Sequence, residues 1–216
     1  MKKGFFISFE GTEGCGKSTH AALLHSYLKS LGKKSVLTLE PGSTKIGKEL
    51  RKLLLSTDEP LAKNAELFLF ACDRAQHVEQ VIAPALTDGA VVICDRFTDS
   101  TLAYQIGGRK LPEELVRYVN AVSSCGLIPD LTFLLDVSPM VGLPRAIGVS
   151  SLGKGKVKKI DRFEKEKIAF HDEVRSFYLE TAKNDPDRFR IIDTEKQSQD
   201  ASQDQIKGFV RQALGL

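Results

Sequence analysis

Apolar positions along the chain follow two periods, and the places where one gives way to the other mark out the elements. Gly4 to Phe9 is a short, nearly continuous apolar run with aromatic and β-branched residues, which predicts a buried strand. After Lys17 the period changes. Ala21, Leu24, Leu28 and Leu31 fall on one face of a helix. Further strand-like runs occupy Ser35–Leu39, Ala90–Cys94, Leu131–Asp136 and Phe189–Ile192, with helical stretches between them. Five strands alternating with helices predict an α/β fold, a parallel sheet covered on both faces. One of the helices follows Glu40-Pro41-Gly42, with Ile46, Leu50, Leu53 and Leu54 as its expected buried stripe. Another spans Glu66 to His77, with Leu67, Phe70, Arg74 and His77 on one face. Gly148 to Lys159 fits neither period. It is rich in glycine, serine and lysine and reads as a mobile insertion between two helical stretches.

Composition narrows the class. The 216 residues suffice for one α/β domain with a full core, expected to span 1–216. Apolar residues make up 42% and charged residues 27%, an ordinary globular balance. A net charge of +3 is too mild to argue for a nucleic-acid partner, and none is expected. No apolar run is long enough to span a membrane, and the opening MKKGFFISF has too short an apolar part for a signal peptide. Cys15, Cys72, Cys94 and Cys125 form no C-x-x-C pair. With Cys94 in a strand and Cys72 in a helix, buried free thiols in a reducing, cytoplasmic setting are expected.

In a parallel sheet ligands bind beyond the carboxyl ends of the strands, so the residues there carry the information. After the first strand comes GTEGCGKST, Gly11 to Thr19, which matches G-x-x-x-x-G-K-[ST]. A strand before the motif and a helix after it are the context a phosphate loop requires. Its glycines let backbone N–H groups of Gly11, Thr12, Glu13, Gly14, Cys15 and Gly16 approach an anion, and the helix presents its positive end to the same point. Lys17 would reach the β/γ-phosphates and the Ser18 hydroxyl would hold Mg²⁺.

Three other stretches carry candidate chemistry. In ELFLFACDRAQH, Phe70 and Arg74 lie one turn apart. They suit either a base stacked and hydrogen-bonded at its edge, or a core phenylalanine beside a surface arginine. In DRFTDSTLAYQ, Asp95 and Arg96 sit at the ligand-facing end of a strand. There Asp95 could hold Mg²⁺ through water and Arg96 could clamp a phosphate with its fork of donors. Ser100, Thr101 and Tyr104 share a helical face behind them. A salt-bridged strand end fits the same residues. Arg51 is either a second phosphate clamp or a solvated helix residue, and KGKVKKIDRFEKEK is either a closing lid or a solvated charge run. The four histidines are scattered and suggest no site.

Taken in order, FISFEGTEGCGKST, EPGST…GKELR, LFLFACDRAQH, DRFTDSTLAYQ, PDLTFLLDVSP and DRFE resemble bacterial thymidylate kinases, from Phe6 to about Glu164. The resemblance implies a P-loop kinase fold with a five-stranded parallel sheet and a short lid at about 146–162. It implies Mg²⁺-dependent transfer of a phosphoryl group from ATP to dTMP, usually by a homodimer. It implies that Phe70 stacks on thymine, Arg74 bonds the base edge, and Arg96 and Arg51 hold the dTMP phosphate. Ser100 or Thr101 would face the base, Gln105 would position the nucleotide, and Tyr104 would crowd the sugar. Arg145 would contact ATP, and Arg162 would act at the transferring phosphate beside Lys17 and Arg96. Three positions depart from the usual pattern: Ser43 where a second glycine is common, Glu13 in the phosphate loop, and lysines (Lys154, Lys156, Lys158, Lys159) where lid arginines are common. The rival readings are a deoxynucleoside kinase, which would phosphorylate a hydroxyl, and a nucleotide-dependent switch. The N-K-x-D and D-x-x-G strings of switch GTPases do not occur in the chain.

Overall fold

The structure, a computed structural model, describes residues 4–56, 60–151 and 161–216; the side chains of 149–151 stand outside that description. Lys154, Lys156, Lys158 and Lys159, with most of the expected lid, therefore lie outside the described residues. Strands β1 (Phe5–Glu10), β2 (Ser35–Leu39), β3 (Val91–Asp95), β4 (Leu131–Asp136) and β5 (Phe189–Asp193) form one parallel sheet in the order β2-β3-β1-β4-β5. All five agree with the expected strands to within a residue. Ile7 of β1 faces Ile93 on one side and Leu131 on the other.

The central strands are buried at almost every position because helices cover both faces. Ile7 and Phe9 point to one face, where Leu24 and Leu28 of α1 (Lys17–Ser30) and Ile206 and Val210 of α9 (Gln199–Leu214) complete a core. Phe6 points to the other face, against Val78 and Ile82. On that side lie α3 (Lys63–His77), which runs through a π turn at Val78–Ile82 into α4 (Ala83–Thr87), and α8 (Ile168–Asn184). Between β1 and β2 there is only α1; α2 (Lys45–Leu55) follows β2 and packs on α3.

Several expectations needed correction. The stripe proposed for α2 is largely outward: Ile46 and Leu53 are 52% and 58% exposed, and Leu54 alone of the four is fully buried. The reason is close packing. α2 meets α3 through Gly47, where an added Cβ would come 2.3 Å from Asp73 Oδ1, so glycine and not isoleucine makes the contact. Leu31 terminates α1 and is exposed. Cys72 is exposed on α3, one turn from exposed Phe68, whereas Cys15 and Cys94 are buried; all four thiols are free.

The helix expected to carry Ser100, Thr101 and Tyr104 is also irregular. α5 (Thr98–Thr101) is a single turn and passes directly into a π-helical segment, Leu102–Gly108. Gly107 and Gly108 seat α8 against it: a Cβ on Gly108 would come 2.4 Å from the Phe170 ring, and one on Gly107 would come 2.9 Å from Phe177 Cβ. α6 (Glu113–Ser123) flanks α3 on the side away from α2, and α7 (Pro139–Ser151) follows β4. Strands β2 and β3 lie to one side of β1, and β4 and β5 to the other. This reversal opens a crevice at the carboxyl ends of β1, β3 and β4.

Candidate functional site

The crevice holds a cavity of about 420 Å³ lined by residues of the phosphate loop, the EPGST…GKELR stretch, ELFLFACDRAQH, DRFTDSTLAYQ and DRFE, with Arg145. On one wall is the phosphate loop. Gly11, Gly14 and Gly16 have φ of 136°, 70° and 95°, a left-handed region that side chains avoid. Lys17 is buried and bent back over the loop, its Nζ donating to Thr12 O at 2.7 Å. Gly16 caps α1, whose free N–H groups face the loop. Ser18 Oγ bonds Asp95 Oδ2, so the hydroxyl and carboxylate expected to hold Mg²⁺ do meet. Both are hard oxygen donors of the kind that ion takes. Among the described residues no group of three or more His, Cys, Asp or Glu could hold a metal by itself.

The opposite wall is built on β3 and the segment after it. Arg96 has a φ of 72°, rare for a residue with a side chain, and is held there from several sides. Its N–H donates to Phe9 O at 2.9 Å. The next N–H, of Phe97, donates to Glu10 Oε1 at 2.8 Å. The Arg96 guanidinium then reaches across the cavity to Gly11 O at 3.1 Å, Ser100 Oγ at 3.2 Å, Tyr104 OH at 3.2 Å and Glu13 Oε1 at 3.2 Å. Glu13 also takes the Tyr104 hydroxyl. Burial pushes Glu13 up, but hydrogen bonding to His171 and the charges of Arg96 and Lys17 pull it down to about 2, so it is ionised.

Phe70 is half-buried and lines the cavity, its ring tilted 50° to Phe163 at 6.1 Å. Arg74 lines it too, but the residue is only 2% exposed. Its guanidinium bonds Glu40 Oε2 at 2.9 Å, Asn120 Oδ1 at 2.5 Å and Phe97 O at 3.1 Å. It is therefore not the surface arginine that spacing also allowed. Thr101, Tyr104 and Gln105 line the cavity, and the buried Oε1 of Gln105 has no partner among the described residues. Arg51 reaches the rim and donates to Pro41 O at 2.7 Å. Arg145 also lines the cavity and donates to Thr194 O at 3.0 Å.

Arg162 departs from expectation. It does not line the cavity. Its Nε and Nη2 donate to Leu54 O, at 3.2 and 3.0 Å, and its Nη1 lies 2.7 Å from Glu66 Oε2. A buried carboxylate and a helix-end carbonyl outcompete open space for a guanidinium in this arrangement. The DRFE string itself has a local explanation. Asp161 Oδ1 accepts the Glu164 N–H while Glu164 Oε2 accepts the Asp161 N–H, both at 2.9 Å, a reciprocal cap that stiffens the turn.

Sequence reasoning missed a set of buried polar groups under the cavity floor. Glu10 accepts from Phe97 N–H, Ser100 and Tyr178; burial and the neighbouring Asp99 push it up to about 7. Glu40 binds Arg74 and His77. Glu66 gathers Gln105, Arg109 and Arg162. Glu10 closes an apolar run and Glu66 opens one, and that was the available signal. Ser43, the departure in EPGST, has a plain role. Its Oγ accepts from Leu39 N–H at 3.0 Å and donates to Leu39 O at 2.6 Å, satisfying both outward groups of the last residue of edge strand β2.

Comparison with known proteins places this geometry. The family model described as thymidylate kinase matches residues 9–206. A thymidylate kinase of Desulfovibrio desulfuricans is 50% identical over 90% of each chain. One of Solidesulfovibrio magneticus is 45% identical over 97% of this chain and all of its own. The crystal structure of thymidylate kinase from Ehrlichia chaffeensis superposes with a TM-score of 0.71 at 32% identity, covering 88% of this chain and 93% of that one.

Proposed function

The chain belongs to the thymidylate kinase family, and from that premise we propose how its own residues carry the reaction. The protein transfers the γ-phosphoryl group of ATP to dTMP, giving dTDP and ADP. The observation that carries this is the family match over residues 9–206, which includes both walls of the cavity. A deoxynucleoside kinase and a nucleotide switch are set aside on the same ground.

The acceptor is a phosphate oxygen, already anionic, so no strong base is needed. The obstacle is repulsion between two polyanions, which fixed cations remove. Lys17 binds the β/γ-phosphates with the loop N–H groups from Gly11 to Thr19, and Arg145 contacts ATP. Ser18, and Asp95 through water, hold Mg²⁺, which when bound neutralises charge on the donor phosphates. Arg96 and Arg51 hold the dTMP phosphate. Phe70 stacks on thymine, and Arg74 bonds its edge with the one N–H not spent on Glu40, Asn120 and Phe97. Ser100 and Thr101 face the base, Gln105 positions it with its free Oε1, and Tyr104 crowds the sugar. Arg162 reaches the transferring phosphoryl group by exchanging Glu66 for that anion. The support for these roles, Arg162 apart, is convergence: residues from separate segments of the chain line one cavity.

We further propose one catalytic domain per chain, 1–216, working as a homodimer in the cytoplasm. Exposed Ile46 and Leu53 of α2, Phe68 of α3, and Tyr118 and Val122 of α6 lie on three neighbouring helices and support a self-associating face. Four unpaired thiols suit a reducing compartment. No described helix is long and apolar enough to cross a membrane. A coupled ADP-release assay with dTMP, dUMP, dCMP, UMP and thymidine tests the reaction. Turnover should be greatest with dTMP and absent with thymidine; preference for thymidine would restore the nucleoside-kinase reading.

A further inference from the structure

His171 touches the carboxylate of the phosphate loop, and neither the motif nor the roles above use it. It lies on the first turn and a half of α8 and is fully buried. Its Nε2 is 3.1 Å from Phe163 O, inside the reciprocally capped Asp161–Glu164 turn. Its Nδ1 is 3.1 Å from Glu13 Oε2. The ring thus stands between the turn and the loop, braced edge-on by Phe170 at 5.4 Å.

Both neighbours of the ring are acceptors. A carbonyl oxygen only accepts, so Nε2 donates to it. Glu13 is a carboxylate, and its Oε2 only accepts as well. Nδ1 and Oε2 are both buried and have no hydrogen-bond partner elsewhere among the described residues, which leaves them facing each other at 3.1 Å. The other charged or titratable groups that face this pair are Arg96 and Tyr104 through Glu13 Oε1, Lys17 from the loop, and Asp161 from the turn.

We propose that His171 is a positioning residue of the phosphoryl transfer: it ties the Asp161–Glu164 turn to Glu13 and so fixes the phosphate loop and Arg96 relative to that turn. The inference rests on the phosphate-loop reading above. Glu13 holds Arg96 on its other oxygen, so freeing one oxygen loosens the arginine that faces the acceptor. Small displacements of such groups cost turnover more than affinity.

The test is kinetic and uses the full-length enzyme. In His171→Ala, which removes both contacts, kcat should fall about 10- to 100-fold, with KM for ATP and dTMP changing far less. His171→Gln keeps a side-chain amide that can donate to one of the two acceptors and should recover part of that loss. An alanine variant with the parent's kcat, or one whose KM rises as much as its kcat falls, would overturn the proposal. Where the alanine variant does not fold, the glutamine variant carries the same comparison of kcat with KM. A parent that fails to phosphorylate dTMP would instead overturn the catalytic reading.

Discussion

Truncating Phe70 separates its packing from its binding role. The ring is half-buried, contributes one edge of a cluster with Phe163, Tyr104 and Tyr178, and turns the rest of its surface to the cavity. Phe70→Ala removes both. Loss of the tilted pair with Phe163 costs about 0.5–1.5 kcal/mol beyond the area term, but that loss falls on free and bound protein alike. Loss of a base stack costs about 1–3 kcal/mol and falls only on the complex. At 1.4 kcal/mol per tenfold, dTMP affinity should drop roughly 5- to 140-fold. ATP affinity should hold, because the contacts proposed for ATP, the phosphate loop and Arg145, do not include Phe70. Phe70→Leu keeps apolar volume without a flat face, so it should recover most of the melting temperature and little of the dTMP affinity. Calorimetric titration of both nucleotides, with thermal melts of all three proteins, measures each quantity. Equal losses for ATP and dTMP, or a leucine variant that binds dTMP like the parent, would refute the stacking argument.

The remaining expectations concern the cations, the sugar and pH. Lys17→Ala should abolish nearly all turnover while leaving the melt unchanged in steepness; a folded variant with parental kcat would unseat the loop assignment. Arg162→Ala should lower kcat by about 10³-fold with modest KM changes if the guanidinium leaves Glu66 for the transferring group; unchanged kcat would leave it a purely structural tie between Leu54 and Glu66. Tyr104→Ala should narrow the preference for deoxyribose over ribose, read as the ratio of kcat/KM for dTMP and its ribonucleotide counterpart; an unaltered ratio would remove the sugar-gate role. Glu10 has its pKa raised from 4.5 to about 7, so the native state binds its proton more tightly than the unfolded chain does. That stability is present in full below about pH 4.5 and is lost as pH rises through about 7. Glu10→Gln should therefore compare better with the parent at pH 8 than at pH 5, by a few kcal/mol at most or roughly 2–4 °C per kcal/mol; melts that differ equally at the two pH values would contradict the raised pKa.

The strands and the phosphate loop were legible because their signals are local. A run buried on both faces is apolar at every position, and a loop that must wrap an anion needs glycine at fixed offsets. What could not be read depends on pairs far apart in sequence. Gly142 is an ordinary residue in a helix until α7 meets the loop, where a Cβ on Gly14 would come 1.9 Å from Gly142 O. Glu66 and Arg162 are 96 positions apart, and no local pattern links them. Arg162 looked free only because its partner was invisible. Ile46 and Leu53 looked buried because periodicity reports an apolar face without saying what covers it. His171 was passed over for the same reason: its meaning lies in Phe163 and Glu13, not in its neighbours along α8.

The π-helical segment Leu102–Gly108 has a consequence for how this chain can vary. An α-helix advances about 100° per residue, and a π turn accommodates one residue more per hydrogen-bonded ring. Deleting a single residue there would let the segment relax to α geometry. Because the π turn winds its extra residue into nearly the same rotation, the residues beyond the deletion, Arg109 with its Glu66 partner among them, would keep their orientation. The rings of Phe170 and Phe177 would still meet a glycine-lined surface only if Gly107 and Gly108 were the residues retained. The segment thus confines a one-residue difference in length to itself, while the seating of α8 depends on which residues stand at its end.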